Sequence, residues 1–216
     1  KMIQKKLFHI QQECQAKISL DPQTAPDKFD VIYADPPWDY HDRTFLDGKV
    51  NDTGAASDHY PTMSPDELMT MRVNNFASKN AILYMWTTGP QLQISLDVMQ
   101  AWGFRYKTVS HVWSKIRVNP GYYTMSSCEF IIVGTKGAIP KPRGTRNERQ
   151  FFEKLRTVHS AKPHHFRETI ERMHPKQSKL EMFARIASPG WYVWGNEAPN
   201  GVHLPGILGP RDDLPW

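Results

Sequence analysis

Asp35-Pro36-Pro37-Trp38 is the part of this sequence whose residue types and spacing could do chemistry. It follows the apolar run Phe29-Asp30-Val31-Ile32-Tyr33-Ala34, which reads as a buried parallel strand. An acid and two prolines after such a strand make a stiff turn. Each proline fixes its own φ and carries no N–H, so the turn offers carbonyl oxygens and few donors. Its inventory is one carboxylate, a few carbonyl acceptors and an indole face. That set suits a flat heterocycle with an exocyclic amine, which donates to Asp35 and a proline carbonyl while the ring stacks on Trp38. Adenine fits the description. The bland alternative is a turn and nothing more, with Trp38 in the core. Position favours function, because ligands of open α/β sheets bind beyond the carboxyl ends of the strands.

The elements that must hold this turn are legible as alternating strands and helices. Residues 80–86 and 128–135 read as buried strands, and residues 106–113 alternate as a strand does. Residues 89–102 read as a helix stopped by Gly103, and residues 165–173 and 178–186 as two late helices. Ser64-Pro65-Asp66-Glu67 carries the pattern of a capping box with proline at the first helical position. Short strands are expected at residues 156–160 and 191–195. The alternation predicts a single α/β domain with a largely parallel sheet. Two stretches show no periodicity, residues 39–60 and residues 140–149, and both are expected to be flexible loops framing the mouth of the site. The second carries Lys141, Arg143, Arg146 and Arg149, either a nucleic-acid contact or a solvated surface turn.

The composition narrows the class. The chain has 216 residues, 39% of them hydrophobic, enough for one sizeable core. Its net charge of +5 leans toward a polyanionic partner. Cys14 and Cys128 give no disulfide framework and suit a reducing cytosol. No apolar stretch is long enough to cross a membrane, and no signal-peptide pattern is present. No Gly-rich phosphate loop precedes Asp35, which counts against a nicotinamide or nucleoside triphosphate cofactor. The nine histidines show no metal-ligand spacing, so no metal is expected.

Taken together, Asp35-Pro36-Pro37-Trp38 and Tyr60-Pro61-Thr62-Met63-Ser64 resemble the signature of the MT-A70 adenine-N6 methyltransferases. The similarity continues in family order. It runs through Ile82 to Gly89, Trp113-Ser114-Lys115, Gly121-Tyr122-Tyr123 and Cys128-Glu129. It then takes in Ser160-Ala161-Lys162-Pro163, a closing helix over residues 179–185, and Gly195-Asn196. The resemblance implies a Rossmann-like class I methyltransferase fold with permuted motif order, and S-adenosylmethionine as the cofactor. It assigns Asp35, Pro36, Pro37 and Trp38 to catalysis. Lys162, Arg185, Asn196 and Glu197 are assigned to the cofactor. Tyr60 and Glu129 fall near the substrate nucleoside. The charge run, apart from the resemblance, adds Lys141, Arg143 and Arg146 as substrate contacts. Relatives often place an acidic residue and an apolar neighbour on the strand before the Asp-Pro-Pro strand. Here that stretch is Cys14-Gln15-Ala16-Lys17, without a carboxylate. Either Gln15 with Ala16 substitutes through the amide, or the correspondence is shifted.

Compact members of this family generally methylate DNA, and larger ones methylate RNA with a partner subunit. The bare catalytic core seen here therefore points to DNA, with RNA as the alternative. A homodimer or a partner subunit is left open. The expected location is the cytoplasm of a prokaryotic or phage-infected cell, or the nucleus if the source is eukaryotic. A non-catalytic nucleic-acid-binding scaffold is the reading from a different class, and the intact Asp35-Pro36-Pro37, Lys162 and Asn196 weigh against it. A cytosine-N4 enzyme faces the same chemical problem, but Ser is more usual there in place of Asp35.

Overall fold

A run such as Val31-Ile32-Tyr33-Ala34 has no polar side, so both of its faces must be covered. The fold meets this by placing that strand in the middle of a sheet with helices on each side. The computed structural model describes residues 20–38, 45–46, 49–50, 62–119, 123–155, 162–195, 198 and 201–204. In chain order the strands are β1 (Phe29–Ala34), β2 (Phe45–Leu46), β3 (Lys49–Val50), β4 (Ala77–Thr87) and β5 (Arg105–Asn119). They continue with β6 (Ser126–Lys136), β7 (Phe151–Glu153), β8 (Lys179–Met182) and β9 (Tyr192–Trp194). The α-helices are α1 (Pro65–Thr70), α2 (Leu92–Ala101) and α3 (His164–Met173).

Seven strands form one mixed sheet in the order β7-β5-β6-β4-β1-β8-β9, and β2 with β3 forms a separate small one. β1 is parallel to both β4 and β8, β8 is parallel to β9, and β5 to β7. β6 alone runs against its neighbours β4 and β5. The sheet is therefore largely parallel, as expected, with one reversed strand, and the reversal comes from the direct β5–β6 hairpin. This is the α/β architecture that the alternation of strands and helices predicts.

Alternation along the strands divides the core in two. Ile32, Ala34, Leu83, Met85, Leu180 and Met182 face α1 and α2, where Leu68, Val98, Met99 and Trp102 meet them. Val31, Tyr33, Ile82, Tyr84, Trp86, Trp113 and Ile131 face α3, which supplies Phe166 and Ile170. α2 packs so closely on β6 that a Cβ at Gly134 would lie 2.6 Å from Met99 Sδ. The helix ends as expected at Gly103, whose φ of +84° is a conformation that side chains resist.

One expected element is of the wrong type. The sequence predicts a helix over residues 178–186, and the closing helix of the family resemblance falls on the same residues. They form strand β8 instead, held between β1 and β9. Lys, Leu, Glu and Met are good helix formers, but the slot in the sheet overrides that modest preference. Lys179 and Glu181 lie on the α3 face of β8 and Leu180 and Met182 on the other, so the strand alternates with charged residues in one phase. β7 was not anticipated at Phe151–Glu153, and the strand expected at 156–160 lies outside the described residues. So does most of the 39–60 loop.

The link from fold to turn is the start of α1. Ser64 Oγ accepts from Glu67 N at 3.3 Å, and Glu67 Oε2 accepts from Ser64 N at 2.8 Å, completing the capping box. One residue earlier, Met63 N donates to Pro37 O at 2.8 Å, and Trp38 bridges to Met63. Ser64→Ala is expected to lower stability by about 1 kcal/mol, the usual cost of a lost N-cap, read as a shift in the urea midpoint. An unchanged midpoint would show that the cap does not support this corner.

Candidate active site

Asp35 continues β1 in the phase of Val31 and Tyr33, so its carboxylate emerges on the α3 side of the sheet at the carboxyl end of the strand. The turn after it is closed by its own backbone. Trp38 N donates to Pro36 O at 2.9 Å, and Pro37 O is occupied by Met63 N. A carbonyl oxygen has two lone pairs, so Pro36 O keeps capacity for a second donor. Trp38 is 5% exposed, and its Nε1 donates to Trp86 O at 3.2 Å. So small a surface leaves little face for a stacked ring. The structure puts this indole in the core, where it anchors the turn to β4.

Around Asp35 lies a line of alternating charges. Lys162 Nζ is 2.9 Å from Asp35 Oδ2 and 3.4 Å from Glu129 Oε2. On the far side of Glu129, Oε1 accepts from Lys115 Nζ at 3.0 Å. Lys162 Nζ also sits 5.1 Å above the Trp86 ring, close enough for a cation–π attraction. Lys115 and Glu129 come from paired strands. Trp113 is directly opposite Glu129, and Lys115 is two residues further on the same face. Lys162 immediately precedes α3, with Pro163 between them.

Burial and pairing oppose each other here, and pairing wins at both central groups. Burial would push the Glu129 carboxyl up, but Lys162 and Lys115 hold it below its ordinary value. Burial disfavours the Lys162 charge too, yet Asp35 and Glu129 raise it above the usual lysine range. Both groups are therefore charged at neutral pH.

A second buried pair braces the same face. Arg167 on α3 donates from Nε and Nη2 to the two oxygens of Glu181 on β8, at 2.8 and 2.7 Å. Glu181 lies directly opposite Tyr33. Burial pushes its carboxyl up; Arg167 reduces that push and Asp35 adds to it. Tyr33 Oη in turn accepts from Trp86 Nε1 at 2.6 Å, so the ring under Lys162 is fixed by a residue two before Asp35.

Asp35, Glu129 and Lys162 are thus brought together. Arg185 is half-buried just beyond β8, at the same end of the sheet, and lies in no helix. Gln15, Ala16, Tyr60, Asn196 and Glu197 lie outside the described residues.

The basic loop is a correction. β6 runs antiparallel, so its exit is at the opposite end of the sheet from Asp35. Ala138 N bonds Asn80 Oδ1 near the start of β4, and Gly144 N and Thr145 N bond the carbonyls of Met173 and Arg172 at the end of α3. Lys141, Arg143 and Arg146 therefore do not flank the Asp35 turn as expected. Burial, with Arg143 adding to it, instead lowers the His174 imidazole to about 4.

The sequence assigns no site role to Lys115, Trp86, Tyr33 or the Arg167–Glu181 pair, although Trp113-Ser114-Lys115 stands in the resemblance. Only Lys115 left a signal, as a cation in the inward phase of a strand after His111 and Trp113.

With this geometry in hand, comparison decides the family. The family model for MT-A70 matches residues 29–197. The chain belongs to the MT-A70 family. It is 43% identical over 196 residues to the Type II methyltransferase M.MunI of a Mycoplasma species, a match covering 85% of this chain and 84% of that protein. It is 32% identical over 187 residues to an Arabidopsis thaliana N(6)-adenosine-methyltransferase MT-A70-like protein, covering 82% of this chain and 24% of the relative. With the human N(6)-adenosine-methyltransferase catalytic subunit METTL3 it shares 27% identity over 189 residues, 82% of this chain and 29% of that subunit. The chain thus spans most of M.MunI and only a minor part of the plant and human proteins. It is a methyltransferase by this kinship, and Asp35, Glu129, Lys162 and Arg185 all fall within the matched span.

The depressed Glu129 carboxyl has a consequence for acid stability. A group lowered in the folded state stabilises the fold above its unfolded value, and that contribution is lost as pH falls through the folded value. Glu129→Gln is expected to be less stable than wild type at neutral pH, with the gap in urea midpoints narrowing below the ordinary carboxyl value of 4.5. A gap that stays constant down to acid unfolding would mean that charge pairing is not what Glu129 contributes.

Proposed function

We propose that this chain methylates the N6 amine of adenine in DNA with S-adenosylmethionine as methyl donor. The observation that carries the reading is Asp35 itself: a carboxylate paired with Lys162, at the end of a central strand, beside a proline carbonyl with acceptor capacity to spare. The match across 84% of M.MunI supports DNA over RNA, since the relatives named for adenosine are matched over a quarter or so of their length.

The residues present suit the cofactor. Lys162 and Arg185 offer positive charge at the carboxyl ends of β1 and β8, where a carboxylate can be held. Thr88 Oγ1, just past β4 at the same end, is buried and has no hydrogen-bond partner among the described residues. A buried hydroxyl of this kind is more stable with a partner. Asn196 and Glu197, which follow β9, complete the proposed set as acceptors for ribose hydroxyls. When bound, S-adenosylmethionine supplies an electrophilic methyl group on a sulfonium.

The protein's part is orientation and electrostatics. The adenine N6 lone pair is delocalised into its ring. Asp35 and Pro36 O accept the two amine hydrogens, which favours a more tetrahedral nitrogen and directs its lone pair at the methyl. Lys162 pairs with Asp35 Oδ2 at 2.9 Å and so holds the carboxylate at the turn. No enzyme nucleophile takes part. The base must leave the stack, so the substrate is flipped out or single-stranded.

Methyl transfer from labelled cofactor onto matched single-stranded DNA, double-stranded DNA and RNA, followed by nucleoside analysis, tests this directly. N6-methyladenine in DNA is expected; label in RNA alone would make the chain an RNA enzyme, and no label in any substrate would leave a scaffold. Asp35→Ala is expected to lower turnover by about a hundred-fold or more while cofactor affinity, measured by calorimetry, falls much less. Near-normal turnover in the folded variant would remove Asp35 from the mechanism.

A further inference from the structure

We infer that Lys115 is a positioning residue for methyl transfer: through Glu129 it divides Lys162 between two carboxylates, so that Lys162 does not compete with the target amine for Asp35. The inference rests on the proposed reaction at Asp35 and adds a residue that touches neither the base nor the cofactor in that proposal.

The geometry is a chain of four groups. Lys115 Nζ is 3.0 Å from Glu129 Oε1, Glu129 Oε2 is 3.4 Å from Lys162 Nζ, and Lys162 Nζ is 2.9 Å from Asp35 Oδ2. The Lys115 side chain is 9% exposed and that of Glu129 is 15% exposed, so solvent screens neither well. Exposure rises along the line, to 19% at Lys162 and 33% at Asp35. The closed end is fixed and the open end meets substrate. Glu129 reaches Lys162 with one oxygen only, because the other is held by Lys115. Lys115 thus fixes one oxygen of Glu129 and, beside Lys162, favours its charge.

The groups facing Glu129 are Lys115 from β5 and Lys162 from the segment before α3, and behind Lys162 stand Asp35 and Tyr33 from β1. Remove the Lys115 charge, and one ammonium remains among two carboxylates in a poorly solvated place. Burial then dominates at Glu129, whose carboxyl moves upward. A protonated Glu129 holds Lys162 weakly. Of its two carboxylate partners in the protein, Lys162 is then left with Asp35, which is the one the amine needs. The loss is therefore greatest at low pH and is relieved as Glu129 ionises.

The test uses the full chain as wild type, Lys115→Met, Lys115→Gln and Lys115→Arg. Methyl transfer to adenine-containing DNA is followed from about pH 4 to about pH 9, a range that takes in the ordinary carboxyl value as well as neutrality. In the Met and Gln variants the acidic limb of kcat is expected to move up by about one pH unit, a ten-fold loss on that limb. Their rates at high pH return to near wild type, and Lys115→Arg keeps the wild-type profile. Gln retains a donor for Glu129 and carries the test should the Met variant not fold. Carbon NMR of the Glu129 carboxyl gives a readout apart from activity: its titration is expected to move up in Lys115→Gln and to stay in place in Lys115→Arg. An acidic limb in the Lys115→Gln variant that superimposes on wild type, or a Glu129 titration that does not move, would overturn the inference. Wild type that transfers no methyl group would instead reject the functional reading on which it rests.

Discussion

The ionic line Lys115–Glu129–Lys162–Asp35 is the constraint on which the rest of the site depends. Removing charges from water costs several kcal/mol per ion, and mutual attraction offsets this only where geometry is good. Four charges of alternating sign reach that condition in a way two would not, since each inner group has a neighbour of opposite sign on both sides. The arrangement is also specific. Glu129 lies between two cations and Lys162 between two anions, so moving any one member leaves another poorly paired.

Aromatic packing determines where this line can lie. Trp86 sits beneath Lys162, receives edge contacts from Trp113 and Phe166, and spends its own N–H on Tyr33. Trp38 bonds the Trp86 carbonyl from the other layer of the core. The residue under the ammonium and the residue closing the turn are thus fixed to one position on β4. Arg167 and Glu181 join α3 to β8 on the same face, which fixes the helix that Lys162 leads into. The turn has two prolines and few donors of its own. Its rigidity comes from β4, from Met63 and from the capping box beyond it.

Local chemistry was legible in the sequence and long-range pairing was not. The Asp35 turn, the buried β1 run, the Ser64 cap and the Gly103 stop each depend on residues a few positions apart, and each is where the residues put it. β8 failed because its charged phase is explained by Arg167, fourteen residues away and on another element. Without that partner a Lys-Leu-Glu-Met segment is best read as a helix. Trp38 was placed against the substrate because a tryptophan after a catalytic turn invites that role; its N–H bond to a carbonyl forty-eight residues on has no local mark. The basic loop was misplaced for a topological reason. Its neighbours in sequence, Glu129 and Lys162, are both at the Asp35 end, but the strand direction between them has no mark in the sequence.

Strand direction is also what makes the site possible. In a wholly parallel sheet each strand delivers its last residues to the edge that carries Asp35 and its first residues to the other. β6 is reversed, so it delivers its first residues there, and Glu129 is the fourth of them. The same reversal lets β5 and β6 join as a hairpin, which brings Lys115 beside Glu129 without a crossover. The price is that the exit of β6 lies at the far edge. The chain must then return along the end of α3, through residues 137–150, before β7 and the approach to Lys162. The basic loop follows from this return path. One antiparallel strand therefore accounts for the pairing of Lys115 with Glu129 and for the removal of Lys141, Arg143 and Arg146 from the Asp35 turn.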